Sequence, residues 1–315
     1  MWEIISSIFP YAIAFTIPLL ITALGGLYSE RSGIVNIGLE GLMVVGSFAC
    51  AVTITLLAPV MPSSVAVWIG LVVAVVAGIL FSLLHAFASI HLNANQVISG
   101  TAINMIAGAL MIFLARKITG SGNIDVPSLP RGDLPVISSI PVLGDLLFKQ
   151  SYATTWVVLL VLLLSWFLLF KTPFGLRLRA CGEHPQAAEA AGINVRKMRY
   201  FGVLMSGACA GLGGAIILVT YSGQFSGTVS GLGFLALAAL IFGQWKPLGI
   251  LGATLFFGLA ATIANVSQVI SVFASIPPFL LKTFPYILTL LALIVFSKST
   301  RAPKASGEIY DRGKR

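Results

Sequence analysis

The sequence predicts an all-α fold, a polytopic transmembrane helical bundle of about nine spans, with eight to ten as the range. Three observations predict it. Asp, Glu, Lys and Arg together make up 9% of the 315 residues, where a typical soluble domain carries about 25%. Hydrophobic residues make up 57%, and the mean hydropathy is +0.99. Apolar stretches of roughly 20 residues, long enough to cross about 30 Å of hydrocarbon, recur along the chain. So few charges could not cover a water-soluble globule of this size. A soluble enzyme, a nucleic-acid binder and a disordered chain are thereby excluded. The net charge of +9 is read as the Lys and Arg that collect in cytoplasmic loops.

The spans are read at 9–28, 40–58, 66–88, 96–115, 154–170, 200–220, 231–243, 248–266 and 280–297. The seventh is short and could be re-entrant. Met1, Trp2 and Glu3 lack the basic region of a cleavable leader, so the first stretch is expected to be retained. Orientation follows the basic residues. The 171–199 segment carries Lys171, Arg177, Arg179, Arg196, Lys197 and Arg199, and the tail carries Lys298, Arg301, Lys304, Arg312, Lys314 and Arg315. Both are assigned to the cytoplasm, and the four spans between them give the matching parity. The N-terminus is then outside. Residues 1–300 form the permeating domain and 301–315 a basic cytoplasmic tail. The 116–153 segment is the long outside loop. Pro127, Pro130, Pro135 and Pro141 keep it from being one long helix. It is either a docking surface for an external partner or a simple connector.

Polar and small residues inside the spans follow a pattern. Gln96, Gly100, Asn104 and Gly108 are spaced by four and share one face of the fourth span. Such a stripe faces either a neighbouring helix, as packing glue, or a water-filled path. Gly202, Ser206, Ala210 and Gly214, with Gly207 and Gly211 beside them, form a small-residue face on the sixth span and predict tight helix packing. Glu40 opens the second span. An acid at mid-membrane costs about 2.5–3.5 kcal/mol, and a helix N-terminus returns up to about 1 kcal/mol. It is read either as a cap or an ion pair, with Arg31 as the partner in view, or as a substrate site. No second acid lies in the spans to make a proton relay. Cys50, Cys181 and Cys209 show no CxxC spacing, and His85, His91 and His184 no HExxH, so no metal site is expected.

Within 171–199, Thr172-Pro173 ends the fifth span, Pro185 can start a helix and Gly192 can stop one. The segment therefore predicts a short helix over about 185–191. It is too short to stand alone and needs a partner surface.

Gly182-Glu183-His184-Pro185, followed by Ala187-Ala188-Glu189-Ala190-Ala191-Gly192-Ile193, resembles the coupling loop of ABC-importer permeases of the ribose and branched-chain amino acid type. Three further stretches resemble the nucleoside branch of that family, the one linked to basic membrane lipoproteins. They are Glu30 to Gly41, Asn95 to Gly100, and Leu235 to Gly252 with Trp245 and Pro247. The resemblance spans about 30–300.

This resemblance implies a type II importer-like permease in a bacterial plasma membrane that forms a path for nucleosides. It implies a second, non-identical permease subunit, two ATP-binding subunits that carry ATP and Mg, and an external substrate-binding lipoprotein. The chain lacks GxxxxGK[ST] and so is not expected to cradle phosphates itself; as a transport subunit it is expected to have no catalytic residue and to bind no cofactor of its own. Glu183, Pro185, Ala187, Ala188 and Gly192 are the residues implied in coupling, and Glu40, Gln96 and Asn104 are the candidates for the path. The rival readings are a permease for ribose-like sugars or branched-chain amino acids, an ion-coupled secondary carrier, and a structural subunit without a path.

Overall fold

The computed structural model describes residues 2–133, 138, 140, 144–266, 283, 287 and 301–310. Ten α-helices are placed among the described residues. They are α1 (Trp2–Arg31), α2 (Leu39–Leu57), α3 (Ser63–Ala86), α4 (Gln96–Thr119), α5 (Ala153–Lys171), α6 (Pro173–Glu183), α7 (Pro185–Ala190), α8 (Val195–Ile217), α9 (Leu232–Phe242) and α10 (Pro247–Val266). Seven of them, α1 to α5, α8 and α10, are long and apolar enough to cross a membrane, and α9 is the shorter apolar helix among them. Eight of the nine expected segments are thus helical, and the short seventh has 11 residues. The 280–297 segment lies outside the described residues. The chain is a multi-pass membrane protein.

α8 is the central post, packed against α1, α2 and α3. Its sequence explains the position. A Cβ on Gly214 would overlap the Met43 carbonyl of α2, and one on Gly207 would overlap the Gly78 carbonyl of α3. The small-residue face lets three backbones approach closely, as its spacing predicts. Ser206, on the same face, donates to the Val203 carbonyl (2.7 Å) and accepts from Asn36 Nδ2 (2.6 Å).

The bundle has two distinct ends. At one, a two-stranded antiparallel sheet pairs β1 (Ile124–Asp125) with β2 (Gln224–Phe225), in the register Ile124↔Phe225. Beside it Arg131 lies over the rings of Tyr11 (4.4 Å) and Tyr152 (5.0 Å) and donates to the Tyr152 hydroxyl (2.9 Å). That hydroxyl in turn donates to the Thr220 carbonyl (2.9 Å). The described part of the 116–153 loop is therefore bound to the bundle at this sheet end.

The other end carries α6 and α7. The expected short helix is there, with Pro185 in its first turn and Gly192 at φ +80 just past its end. α6 was not read from the sequence: Thr172 ends α5, yet its hydroxyl also accepts from Gly175 N (3.1 Å) and starts an 11-residue helix. The described tail lies at this same end, with Ala305 N donating to the Gly182 carbonyl (2.9 Å) and Gly307 N to the Gly33 carbonyl (3.2 Å). The tail and the 171–199 loop thus share one side, as the parity argument requires.

A paired substitution tests the packing argument. Gly214→Ala should destabilise the detergent-solubilised protein by about 1–3 kcal/mol through overpacking. Gly252→Ala, where nothing lies within 4 Å of the new methyl, should be neutral or stabilising by up to about 1 kcal/mol. Thermal unfolding of the two proteins, compared with wild type, is the measurement.

Candidate functional site

The helices break inside the bundle in two places, and the site is built around those breaks. The first is the turn between α1 and α2, residues 32–38. Its backbone is buried and non-helical, so its amides and carbonyls must find partners on neighbouring elements. Val35 N donates to Gln96 Oε1 (2.6 Å), and the Val35 carbonyl accepts from His85 Nε2 (3.2 Å). The other ring nitrogen of His85 then accepts from the Ser99 hydroxyl (2.9 Å). Ile34 O accepts from Ser29 Oγ (2.7 Å), and Gly38 N donates to Asn36 Oδ1 (3.0 Å). Asn104 takes both roles, donating from Nδ2 to the Ile37 carbonyl (3.0 Å) and accepting from Gly41 N at Oδ1 (2.7 Å). Gly100 lies between them, where a Cβ would press on the backbone of Ile37 and Gly38. The stripe on α4 thus faces the 35–41 segment.

The second break lies between β2 and α9. Residues 223–231 run without helix down to the first turn of α9, with Gly223, Gly227 and Gly231 all at positive φ. Glu40 meets them from α2. Its Oε1 accepts from Gly231 N (2.9 Å) and its Oε2 from Gly233 N (2.7 Å). Glu40 is therefore a cap, but of another helix, 191 residues away in sequence. It is not paired with Arg31.

Arg31 sits at the opposite end of α9. Its guanidinium donates to the Trp245 carbonyl (2.8 Å from Nη2, 3.3 Å from Nε) and pairs with Glu183 Oε1 (3.5 Å). The Trp245 indole donates to Glu30 Oε2 (2.6 Å). Gln244 and Trp245 both hold left-handed backbone, at φ +50 and +52. Two such residues in succession cost on the order of 1–3 kcal/mol each. The Glu30 and Arg31 contacts fix that turn. Three of the four stretches that carry the family resemblance thus meet here, through Glu30 and Arg31, Glu183 and Trp245, while Gln96 of the remaining one holds Val35.

A cavity of about 460 Å³ opens over the first turn of α9. Phe15 and Tyr221, edge to face at 5.8 Å, line it with Phe257, and Ser47, Gln224 and Thr228 supply polar groups. Among the described residues, none that lines it is acidic, basic or histidine. Glu40 adjoins the cavity through Gly231, whereas Gln96 and Asn104 lie away from it on α4. The sequence reading did not single out the 223–231 lining. Its signal was three glycines at intervals of four, with Ser, Thr and Gln between them, just before a short apolar segment. Short or Gly-interrupted segments of this kind are pointers to binding sites in transporters.

The implied coupling residues lie at the α6–α7 end. Pro185 and Ala188 are buried against the chain itself, while Ala187, Gln186, Ala190 and Gly192 are exposed. Glu183, 44% exposed in its side chain, faces Arg31.

Comparison with known proteins places these features. The family described as "Branched-chain amino acid transport system / permease component" matches residues 8–294. Among curated relatives, the guanosine ABC transporter permease protein NupQ of Bacillus subtilis is 46% identical over 99% of both chains. The nucleoside ABC transporter permease protein NupC of Lactococcus lactis is 42% identical over 95% of both. The guanosine ABC transporter permease protein NupP, also of B. subtilis, is 27% identical over 79% of this chain and 71% of its own.

Two substitutions test the reading of the breaks. Glu40→Ala leaves the Gly231 and Gly233 amides unpaired and should cost about 2–4 kcal/mol, with Glu40→Gln intermediate. Asn104→Leu strands one carbonyl and one amide and should cost a similar amount. Denaturation of the purified variants in detergent measures both. A wild-type midpoint in either would remove that side chain from the support of the break.

Proposed function

This chain belongs to the branched-chain amino acid transport system / permease component family, and we propose that it is a nucleoside permease subunit of an ABC importer. The observation that carries the substrate class is the neutral cavity at a capped helix end. A helix N-terminus inside a transporter commonly faces the anionic group of its substrate. Here Glu40 takes that place on α9, and no charged side chain among the described residues lines the cavity. An amino acid would bring a carboxylate and an ammonium with no partner for either. A nucleoside brings a flat base for Phe15, Tyr221 and Phe257 and neutral hydroxyls for Ser47, Gln224 and Thr228. The names of the two full-length relatives point the same way. A ribose-like sugar would satisfy the charge argument but leave the aromatic lining without a use.

Transport proceeds by alternating access. The ATP-binding subunits dock at the α6–α7 end, on the cytoplasmic side. The exposed small face of α7 (Gln186, Ala187, Ala190 and Ala191) meets their groove, with Pro185 and Ala188 seating the helix from behind and Gly192 ending it. Movement there passes through Glu183 to Arg31 and Trp245, and so to α9, a rod of about 16 Å whose far end lines the cavity. The cavity's affinity must differ between the two states for ATP to drive net movement. Glu40 holds the cavity wall at Gly231, while Gln96 and Asn104 hold the turn between α1 and α2, away from the cavity. The second permease subunit is non-identical, a reading supported by the two differently named guanosine permeases of one bacterium. An external lipoprotein delivers substrate at the sheet end.

The test is uptake of labelled guanosine, uridine, ribose and leucine in deletion and complemented cells, with vanadate and protonophore arms. Vanadate-sensitive, protonophore-resistant nucleoside uptake is expected. Restoration of leucine or ribose uptake alone would discard the substrate class, and protonophore sensitivity without vanadate sensitivity would discard the ABC mechanism. Glu183→Arg, which sets two cations against each other at Arg31, should lower uptake at least about tenfold at unchanged membrane abundance; uptake and immunoblot of one culture decide it.

A further inference from the structure

The C-terminal tail, read from the sequence as a plain basic extension, is packed into the α6–α7 end along its described length. Arg301 N donates to Gln244 Oε1 (3.1 Å), at the strained turn after α9. Ala305 N donates to the Gly182 carbonyl and Gly307 N to the Gly33 carbonyl, while Lys304 N reaches Glu183 Oε2 (3.4 Å). The Glu308 carbonyl accepts from Arg199 Nη1 (3.1 Å). Arg199 is 1% exposed, and its Nε and Nη2 have no hydrogen-bond partner among the described residues. Lifting the tail would leave this buried cation without that bond, a costly state.

The tail's last described residue makes the decisive contact. Tyr310 is 6% exposed and packs in one cluster with Cys181 of α6, Ala188 of α7 and Val195 of α8. Its hydroxyl donates to Glu189 Oε2 of α7. Its ring lies 5.5 Å from the Arg199 guanidinium. Burial pushes the neighbouring Cys181 thiol up to about 11, so it stays protonated at neutral pH and contributes packing alone. Tyr310 sits behind α7, and the opposite face of Gln186, Ala187, Ala190 and Ala191 stays open.

A six-residue helix has little stability of its own and can transmit a push only if something stiff stands behind it. We propose that residues 301–310 are a brace for α7, with Tyr310 as the positioning residue that fixes the helix to α6 and α8. The brace also ties α7 to the turn after α9 through Gln244, so the partner-facing helix and the near end of α9 share one support. This inference rests on the reading of α7 as the element that meets the ATP-binding subunits.

The experiment uses the whole transporter, this chain with its co-expressed partner subunits, in proteoliposomes. It compares wild type with Tyr310→Phe, Tyr310→Ala, a truncation after Ala302, and Ile309→Ala as the exposed control. Two quantities are read, hydrogen exchange of the 186–191 amides and ATP hydrolysed per nucleoside imported. Exchange should rise about tenfold or more in Tyr310→Ala, and less in Tyr310→Phe, which keeps the ring and loses the bond to Glu189. Hydrolysis per import should rise severalfold in the same order, with Ile309→Ala unchanged. Wild-type exchange and a wild-type ratio in Tyr310→Ala would overturn the brace. So would faster uptake at an unchanged ratio after truncation, which would make the tail an inhibitor. If the truncation fails to assemble, the Tyr310→Phe and Tyr310→Ala ratios decide. If wild type shows no ATP-dependent import, the transport reading fails, and the exchange data still decide the brace.

Discussion

A backbone amide or carbonyl removed from water must be hydrogen-bonded, and in this bundle that requirement governs where every break in a helix can occur. An unpaired buried group costs about 1–3 kcal/mol, and more in hydrocarbon. The chain nonetheless breaks between Ser32 and Gly38 and between Gly223 and Gly231. Each break is tolerated because a neighbouring helix supplies the missing partners: Gln96 and Asn104 from α4, His85 from α3, Ser29 from α1 and Glu40 from α2. Polar residues that would be a liability on a lipid-facing helix are here the condition for irregular backbone at depth. The small face of α8 is the complementary device, since it lets the backbones of α2 and α3 approach closely.

The same constraint joins the two halves of the molecule. Glu30 and Arg31 close α1 and Glu40 opens α2, on either side of one short connection, yet they grip opposite ends of α9. α9 cannot shift along its axis without loosening either the Glu40 cap or the Trp245 clasp. Because Arg31 also meets Glu183, an unbroken line of contacts runs from the α6–α7 end to α9. The left-handed turn at Gln244 and Trp245 gives that linkage a strained joint, held by two side chains and by the tail.

Much of this was legible in the sequence, for physical reasons. Hydropathy and length gave the spans, because crossing hydrocarbon demands both. Pro185 and Gly192 bracketed α7, because one fits a first turn and the other a left-handed stop. The spacing of Gly207, Ser206 and Gly214 gave the packing face, because close backbone approach excludes larger residues. What periodicity cannot give is a partner distant along the chain. Gln96 meets Val35 across 61 positions and Glu40 meets Gly231 across 191, so the stripe on α4 could be read as packing or as path with equal logic. Arg31 was considered for Glu40 because they are close in sequence; the fold gives it Glu183 and Trp245 instead. α6 was missed because Thr172-Pro173 signals both a stop and a start. The tail was missed because its contacts are mostly backbone, which no side-chain pattern records.

The cavity's neutrality is a consequence of the Glu40 cap and not a separate design feature. An uncapped α9 would present its positive end to the cavity and favour an anion by up to about 1 kcal/mol, more where the site is dry. With the carboxylate already bound to Gly231 and Gly233, the positive end of α9 is offset, and the cavity face of that turn carries the hydroxyls and amides of the 223–231 segment. A zwitterion entering there would lose hydration on two charged groups and regain no charged partner, a loss of several kcal/mol. A neutral ligand with a flat apolar face loses little hydration and covers Phe15, Tyr221 and Phe257. One carboxylate at the head of α2 thus caps a broken helix, and in the nucleoside reading proposed above the same group filters ligands by charge. Substituting it should disturb fold and selectivity together.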